Sequence, residues 1–390
     1  MKTQGLRSGD ERLVRAFTAA LRTAPRFGRD SGFPRDWWRH LGEHGLLGLS
    51  FDLDGRGPRA EWPLVARLAC CLARETGSLG LTLAWLLNEM VGRCAIGSPA
   101  DESQRGWLRR MAVGDAIVGL AVSEPEAGAH PKHLRSTARR DVHGQDERWI
   151  IDGAKSHVSN GPVADAVVVI AATGGAGSRR EFDAFLIQAG AAGLVLQPAV
   201  SAPGLSASTS APLAPLQHAS LKLEGCLVSA SARLGAAGTA FDRIARPIRV
   251  IEDALLASAM AGAMHAELDR LSLWLRQAQP PHALVRKLGA LHLELTVLEA
   301  VANRAADSLA ADGPGVQLAQ FNVGSRRLFE RWQSEFEALA VPLDDLADPI
   351  PAICRDLRCV LGIARGVGEA RAFEAGQHML QPKESDEVTA

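Results

Sequence analysis

The chain has 390 residues, 47% of them hydrophobic and 22% charged, with a formal charge of −1. These are the proportions of an average globular protein, and the length gives roughly two to three domains at about 150 residues each. A small stapled or disordered module is excluded, and 44 acidic residues cancel 43 basic ones, so no basic field for nucleic acid follows. The basic residues are nearly all arginine, with lysine only at 2, 132, 155, 222, 287 and 383. Cysteines at 70, 71, 94, 226, 354 and 359 form no C-x-x-C and no metal-type spacing with histidine. Reduced thiols in a cytoplasmic protein are expected. There are 11 Phe, 8 Trp and no Tyr, which excludes chemistry that needs a phenol. The N-terminus is charged, with no apolar signal region, and no run of 18 apolar residues occurs, so neither secretion nor a membrane span is expected.

From about residue 9 to 118, apolar residues recur at helical spacing, as in Leu64, Leu68, Cys71 and Leu72, then Leu79, Leu83, Leu86 and Leu87. Pro34, Pro63 and Pro99 fall near helix starts, and Gly45, Gly48, Gly55 and Gly57 punctuate a loop centred on 52–58. Near Gly119 the texture changes to short β-branched or alternating runs: AIVGLAV, RWIIDG, ADAVVVIAA, FDAFLIQ and LKLEGCLV. The Ser-, Ala- and Pro-rich stretch 201–220 is expected to be a long surface loop. After Gly238 the helical period returns with Ile244, Ile248, Ile251, Leu255, Met260, Met264 and Leu268, followed by helices expected over 282–311, 316–339 and 352–380. The expected fold is α+β: an N-terminal all-helical domain (1–118), a middle antiparallel β domain resembling a barrel (119–237) and a C-terminal four-helix bundle (238–390).

Two segments carry chemistry. Ser123-Glu124-Pro125-Glu126-Ala127-Gly128-Ala129-His130 resembles the T-E-P-x-A-G-S-D element of the acyl-CoA dehydrogenase family. Gly153-Ala154-Lys155-Ser156-His157-Val158-Ser159-Asn160-Gly161 resembles that family's G-x-K-x-[FW]-I-[ST]-N-[AG] element. With 224–241 and 355–370, the resemblance covers most of the chain. It implies FAD as cofactor, with Leu120, Val122, Ser123, His157 and Ser159 lining the isoalloxazine ring. Ordinary turn or cap hydroxyls are the plain alternative for the two serines. His157 stands where the family usually has a large aromatic residue. Ala129 takes the place of a serine that meets the carrier arm of the substrate, which weakens a direct CoA contact. The neighbouring His130-Pro131-Lys132-His133 reads either as charge for a phosphate or as a solvated turn.

Acyl-CoA dehydrogenation needs an unprotonated carboxylate beside the thioester α-carbon. The family's usual position, the Glu of I-x-E-G-T, matches Arg365 here, and a guanidinium cannot serve as a base. The branch resembling isovaleryl and long-chain dehydrogenases places its Glu ten residues before a Gly on the first bundle helix. Gly262 matches that Gly and Glu252 that Glu. Ile248, Leu255 and Leu256 make the helix face around Glu252 apolar. Against this, Arg249 could pair with Glu252 on a solvated face, and Asp253 replaces the Arg that usually follows the relocated Glu. Glu369 and Glu374 read as ordinary exposed residues.

The family's FAD-diphosphate elements are eroded. The Gln of Q-x-x-G-G-x-G falls on Glu337 and its glycines on Ala340, Val341 and Leu343, and only Arg276 stands for R-x-x-F-G. Three functions stay open. The first is an acyl-CoA or acyl-carrier-protein dehydrogenase passing electrons to an electron-transfer flavoprotein or similar acceptor. The second is a catalytically incomplete subunit of a heteromer. The third is a flavin oxidase or monooxygenase. The resemblance also implies a homodimer or homotetramer, with a heteromer as the alternative.

Overall fold

The computed structural model describes residues 8–29, 32–97, 101–143, 146–175, 180–198, 211–277, 279–340, 349–363 and 365–380. The N-terminal part consists of α1 (Ser8–Thr23), α2 (Arg35–Glu43), α3 (Trp62–Thr76), α4 (Leu79–Met90) and α5 (Glu102–Ala112). Pro34 caps α2 and Pro63 lies in the first turn of α3, while Pro99 is outside the described residues. α4 starts where Ser78 Oγ accepts the Leu81 N–H, and every residue of this helix is buried. The run Leu79–Ile96 is apolar and long enough to cross a membrane, but 89% of it lies inside the protein, where it serves as a core helix. Its Glu89 carboxylate accepts the Gly48 and Ser50 N–H groups and so closes the glycine-punctuated loop onto the core.

Among the described residues the middle part is one eight-stranded sheet. Its strands are β1 (Val118–Ala121), β2 (Thr137–His143), β3 (Asp146–Ser159), β4 (Ala166–Gly174), β5 (Glu181–Gln188), β6 (Leu194–Pro198), β7 (His218–Ser229) and β8 (Arg233–Leu234). The order is β6-β7-β3-β1-β4-β5-β8, with β2 beside β3 and β4. Most pairs are antiparallel, as expected, but β4 runs parallel to β1 and to the start of β2. The β2–β3 hairpin returns the chain to the far side of β1, and the next strand then enters in the same direction as β1. β4 explains its own continuous apolar run. Ala166, Val168 and Ile170 join the helical core, whereas Val167, Val169 and Ala171 meet Trp149 and Phe185 in the sheet's second core.

The stretch 201–220 is not a surface loop over its described part. Residues 199–210 lie outside the described residues, but Leu213, Ala214 and Leu216 are buried and 218–220 open β7. Leu213 N–H donates to Asp356 and Ser78 Oγ donates to the Ala214 carbonyl. Ser- and Pro-rich composition reads as solvent-facing, but here the apolar residues between the prolines are wedged against α4.

The C-terminal part consists of α6 (Arg246–Leu275), α7 (His282–Asp312), α8 (Val316–Ala340), α9 (Ile350–Gly362) and α10 (Arg365–Leu380). The expected fourth helix is thus two: Ile363 leaves helical geometry (φ −61°, ψ 128°), and the chain breaks at the segment that carries Arg365. α6 is buried almost all round from Ala254 to Leu268. It approaches α3 so closely that a Cβ on Gly262 would stand 2.2 Å from the Cys70 carbonyl oxygen. The residue that marks the family resemblance is therefore explained by backbone contact. All six cysteines are free thiols. Because the obstacle is backbone, Gly262→Ala is expected to destabilise the protein by about 1–3 kcal/mol. Chemical denaturation of the purified variant measures this.

Candidate functional site

The two motif segments meet on adjacent strands. β1 and β3 are in register at Leu120 opposite Ser159, and the Ser156 N–H donates to the Ser123 carbonyl. Beneath this edge lies a buried ion pair between the motifs. Lys155 Nζ sits 2.8 Å from Glu124 Oε1 with both side chains almost inaccessible, and it also donates to the Val122 carbonyl. The Glu124 carboxylate accepts the Arg135 and Ser136 N–H groups as well. Gly128, at φ +57°, closes a tight turn with Glu124 through reciprocal backbone bonds. Burial pushes the Glu124 carboxyl up, but Lys155 and the backbone donors outweigh it and hold it below the usual range. Burial depresses the Lys155 ammonium against the pull of Glu124. Both residues belong to the quoted motifs, and their work is to lock one motif to the other.

Leu120, Val122, Ser123 and Ser159 are half-buried along this edge, and His157 is exposed at φ +55°. Sequence reasoning missed His218. It faces Ser159 across the β3–β7 ladder, with its Nδ1 3.2 Å from Ser159 Oγ and its ring 6.4 Å from that of His157. Burial, with help from His157, lowers the His218 pKa and so favours the neutral imidazole. Only strand register could have revealed it. Among the described residues the buried side-chain oxygen Oδ1 of Asn160, beside Ser159, has no hydrogen-bond partner. Ala129 and His130 are exposed at the tip of the Gly128 turn. Next to them an open cleft of about 690 Å³ is lined by Glu126, Lys132, His133, Arg135 and Arg180.

Glu252 belongs to a second cluster, on α6. Its side chain is 30% exposed, and the alternative pairing exists: Arg249 Nη1 donates to Glu252 Oε2 at 3.1 Å. The face is not freely solvated, however. Burial raises the Glu252 pKa, Arg249 and Arg326 oppose it, and Asp253 adds to it. Arg365 lines a cavity of about 160 Å³ on the same side, with Arg249, Asp253 and Arg326. Glu252 and Arg365, the two positions that the sequence resemblance matches to a base, therefore lie in one region of the bundle. Among the described residues no hydrogen bond or ion pair joins this cluster to the β1–β3 edge. Arg276 is exposed at the end of α6, and among the described residues its side chain makes no hydrogen bond or ion pair. Glu369 and Glu374 are exposed.

At the eroded diphosphate element, Arg358 Nε donates to both oxygens of Glu337, at 2.8 Å each, and Ala340 is buried. Val341 and Leu343 lie outside the described residues. Behind Glu337 is Glu267, fully buried, whose Oε1 accepts from Cys354 Sγ and Gln333 Nε2, each at 3.0 Å. Burial pushes its pKa up to about 8.

Residues 119–214 match the family model "Acyl-CoA dehydrogenase, middle domain". Mitochondrial isovaleryl-CoA dehydrogenase of Solanum tuberosum is 27% identical over 174 residues, 44% of this chain and 40% of that protein. The butyryl-CoA dehydrogenase structure from Megasphaera elsdenii superposes with a TM-score of 0.80 at 17% identity, over 97% of this chain and 100% of that one. Residues 119–214 are thus an acyl-CoA dehydrogenase middle domain, and the fold over nearly the whole chain is that of the butyryl-CoA dehydrogenase structure. L-prolyl-[peptidyl-carrier protein] dehydrogenase of Pseudomonas fluorescens is 32% identical over 160 residues, 40% of this chain and 41% of that protein. The chain thus spans less than half the length of these curated relatives. The matched segment contains both motifs and the Glu124–Lys155 pair, and the similarity of fold extends well beyond it.

Two consequences can be measured. Lys155→Met leaves a buried carboxylate without its cation and is expected to cost about 3–5 kcal/mol, much of it recovered in Glu124→Gln/Lys155→Met; urea denaturation of the single and double variants tests this. The folded protein binds the Glu267 proton more tightly than the unfolded chain does, so its contribution to stability is full below about pH 4.5 and lost as pH rises through about 8. Denaturation midpoints should fall across that window, and Glu267→Gln should remove that part of the slope.

Proposed function

We propose that this protein is a flavin-dependent dehydrogenase of acyl thioesters, with Glu252 as the base that removes the α-proton. The observation that carries the reading is the register of Leu120 with Ser159, which turns two separate motifs into one polar edge. The residues of that edge fit a flavin ring. Ser159 Oγ and the backbone of Val122 and Ser123 offer donors and acceptors, and the orphaned Asn160 oxygen lacks an N–H donor of the kind a flavin pyrimidine carries. When bound, FAD would supply the hydride acceptor. His157, exposed in the aromatic slot, would flank the ring, and the Gly128 turn with Ala129 would lie along the carrier arm.

Glu252 suits the proton step because burial biases it toward holding a proton, while Arg249 keeps an ionised form available. The leaving α-proton passes to this carboxylate and the β-hydride leaves the substrate at the same stage, forming the double bond. The carrier is either CoA or a carrier protein. The altered Ala129 position favours a carrier protein, and so does the likeness to a protein named as a peptidyl-carrier-protein dehydrogenase. A similar structure, named for the electron transferring flavoprotein of Acidaminococcus fermentans, fits a flavoprotein electron acceptor. Exposed Leu293 and Val297 on α7 fit self-assembly into a dimer or tetramer.

One observation favours a second reading. Where a glutamine and glycines would cradle a diphosphate, Glu337 is a carboxylate already held by Arg358. The Glu337 carboxylate offers no donor to a phosphate and Arg358 is committed to it, so the cradle would come from another chain, making this a subunit of a heteromer.

The absorbance spectrum of the chain purified alone separates the readings. A yellow protein that reduces a dye acceptor with isovaleryl-CoA or a prolyl carrier-protein thioester supports the dehydrogenase. In it, Glu252→Gln should keep the flavin and lose about 10²–10⁴-fold in kcat. A protein that gains flavin only with a second chain supports the heteromer. Fast reoxidation by oxygen would point to an oxidase, the activity named for one similar structure, the prolyl acyl carrier protein oxidase AnaB.

A further inference from the structure

The bundle contains an ion cluster with an unusual centre. Asp253 Oδ1 is a single acceptor atom that receives Arg249 Nη2 at 2.6 Å and Arg326 Nη2 at 2.9 Å. Arg249 uses its other terminal nitrogen on Glu252 Oε2, at 3.1 Å. Arg326 uses its own on the carbonyl of Ile363, the residue at the break between α9 and α10. Asp253 and Arg326 are the less accessible members, with side chains 11% and 16% exposed against about 30% for Arg249 and Glu252.

We propose that Asp253 is the positioning residue of this site: by holding Arg249 and Arg326 on one oxygen it sets both the Glu252 carboxylate and the helix break that carries Arg365. This rests on the reading of Glu252 as the base. The geometry explains two departures from the family at once. An Arg usually follows the relocated Glu; here that place holds an anion, and the cations come from Arg249 one turn earlier and Arg326 on α8. Arg365, in the usual base position, cannot accept a proton, but the carbonyl two residues before it is tied to the same node.

The division of Arg249 matters chemically. Its shorter bond goes to Asp253, so Glu252 receives a shared guanidinium, and the adjacent Asp253 charge disfavours ionisation of Glu252. Without Asp253, Arg249 could give its whole fork to Glu252, leaving a more acidic carboxyl and a weaker base. The other charged groups facing this side are Arg327 and Glu330 on α8 and Arg365, Glu369 and Arg371 on α10. Arg365 and Glu330, 3.9 Å apart, partly offset each other.

The proposal makes two opposite predictions. In protein carrying 13C-labelled glutamate, the Glu252 carboxyl resonance is identified by its loss in Glu252→Gln, and its titration is followed without substrate. Asp253→Asn should lower its midpoint, and Arg249→Gln should raise it, each by about one pH unit. In flavin-loaded enzyme turning over isovaleryl-CoA, the acid limb of kcat should move in the same two directions. Asp253→Asn should lose about tenfold in kcat with KM nearly unchanged. Should Asp253→Asn fail to fold, Arg249→Gln alone still decides. Midpoints that stay fixed, or move together in one direction, overturn the positioning role. Midpoints that shift as stated while Glu252→Gln retains full turnover would instead remove Glu252 as the base and leave the ion cluster as described.

Discussion

The architecture of the site depends on the Lys155–Glu124 pair. Each charge alone would be untenable in so dry a place, and each carries further hydrogen bonds, to the Val122 carbonyl on one side and to the Arg135 and Ser136 N–H groups on the other. Because Glu124 lies three residues past the end of β1 and Lys155 is within β3, the pair ties the end of one strand to the other. The Leu120–Ser159 register goes with that tie, while the β3–β7 ladder brings His218 to Ser159 on the other side.

α6 plays the matching role in the helical part. Small residues along it, Gly262 above all, let α3 come within backbone contact, and its first turns carry the Arg249–Glu252–Asp253 cluster. Burial thus provides both the rigid axis and the desolvation that raises the Glu252 pKa. The same core houses Glu267, a carboxyl that the proposed chemistry does not use and that gives the bundle a pH dependence of its own.

The divergence from the family concentrates where charge has been rearranged. By the sequence resemblance Arg365 matches the usual base position, Asp253 follows the proposed base Glu252, and Glu337 matches the diphosphate element. Each has acquired a counter-charge: Glu330 for Arg365, Arg249 and Arg326 for Asp253, and Arg358 for Glu337. The absence of tyrosine belongs to the same drift, since His157 occupies an aromatic slot and is joined there by His218.

Periodicity and motif order determined a good deal alone. Apolar residues three and four apart specify helices, and β-branched runs between turn residues specify strands, because those patterns are local consequences of backbone geometry. The linked motifs carried the resemblance to acyl-CoA dehydrogenases and singled out Leu120, Val122, Ser123 and Ser159, which the structure gathers beside one another, and Arg249 was recognised as a partner for Glu252. Other features depended on contacts between residues far apart in sequence. The parallel pairing of β1 with β4, the burial of Leu213 and Leu216 in a Ser- and Pro-rich segment, and the break at Ile363 leave no periodic trace. His218 opposite Ser159 and Asp253 between two arginines are likewise invisible until strands and helices pack. Local pattern reports which face of an element is apolar, whereas which charge stands beside which is decided only when packing removes the water between them.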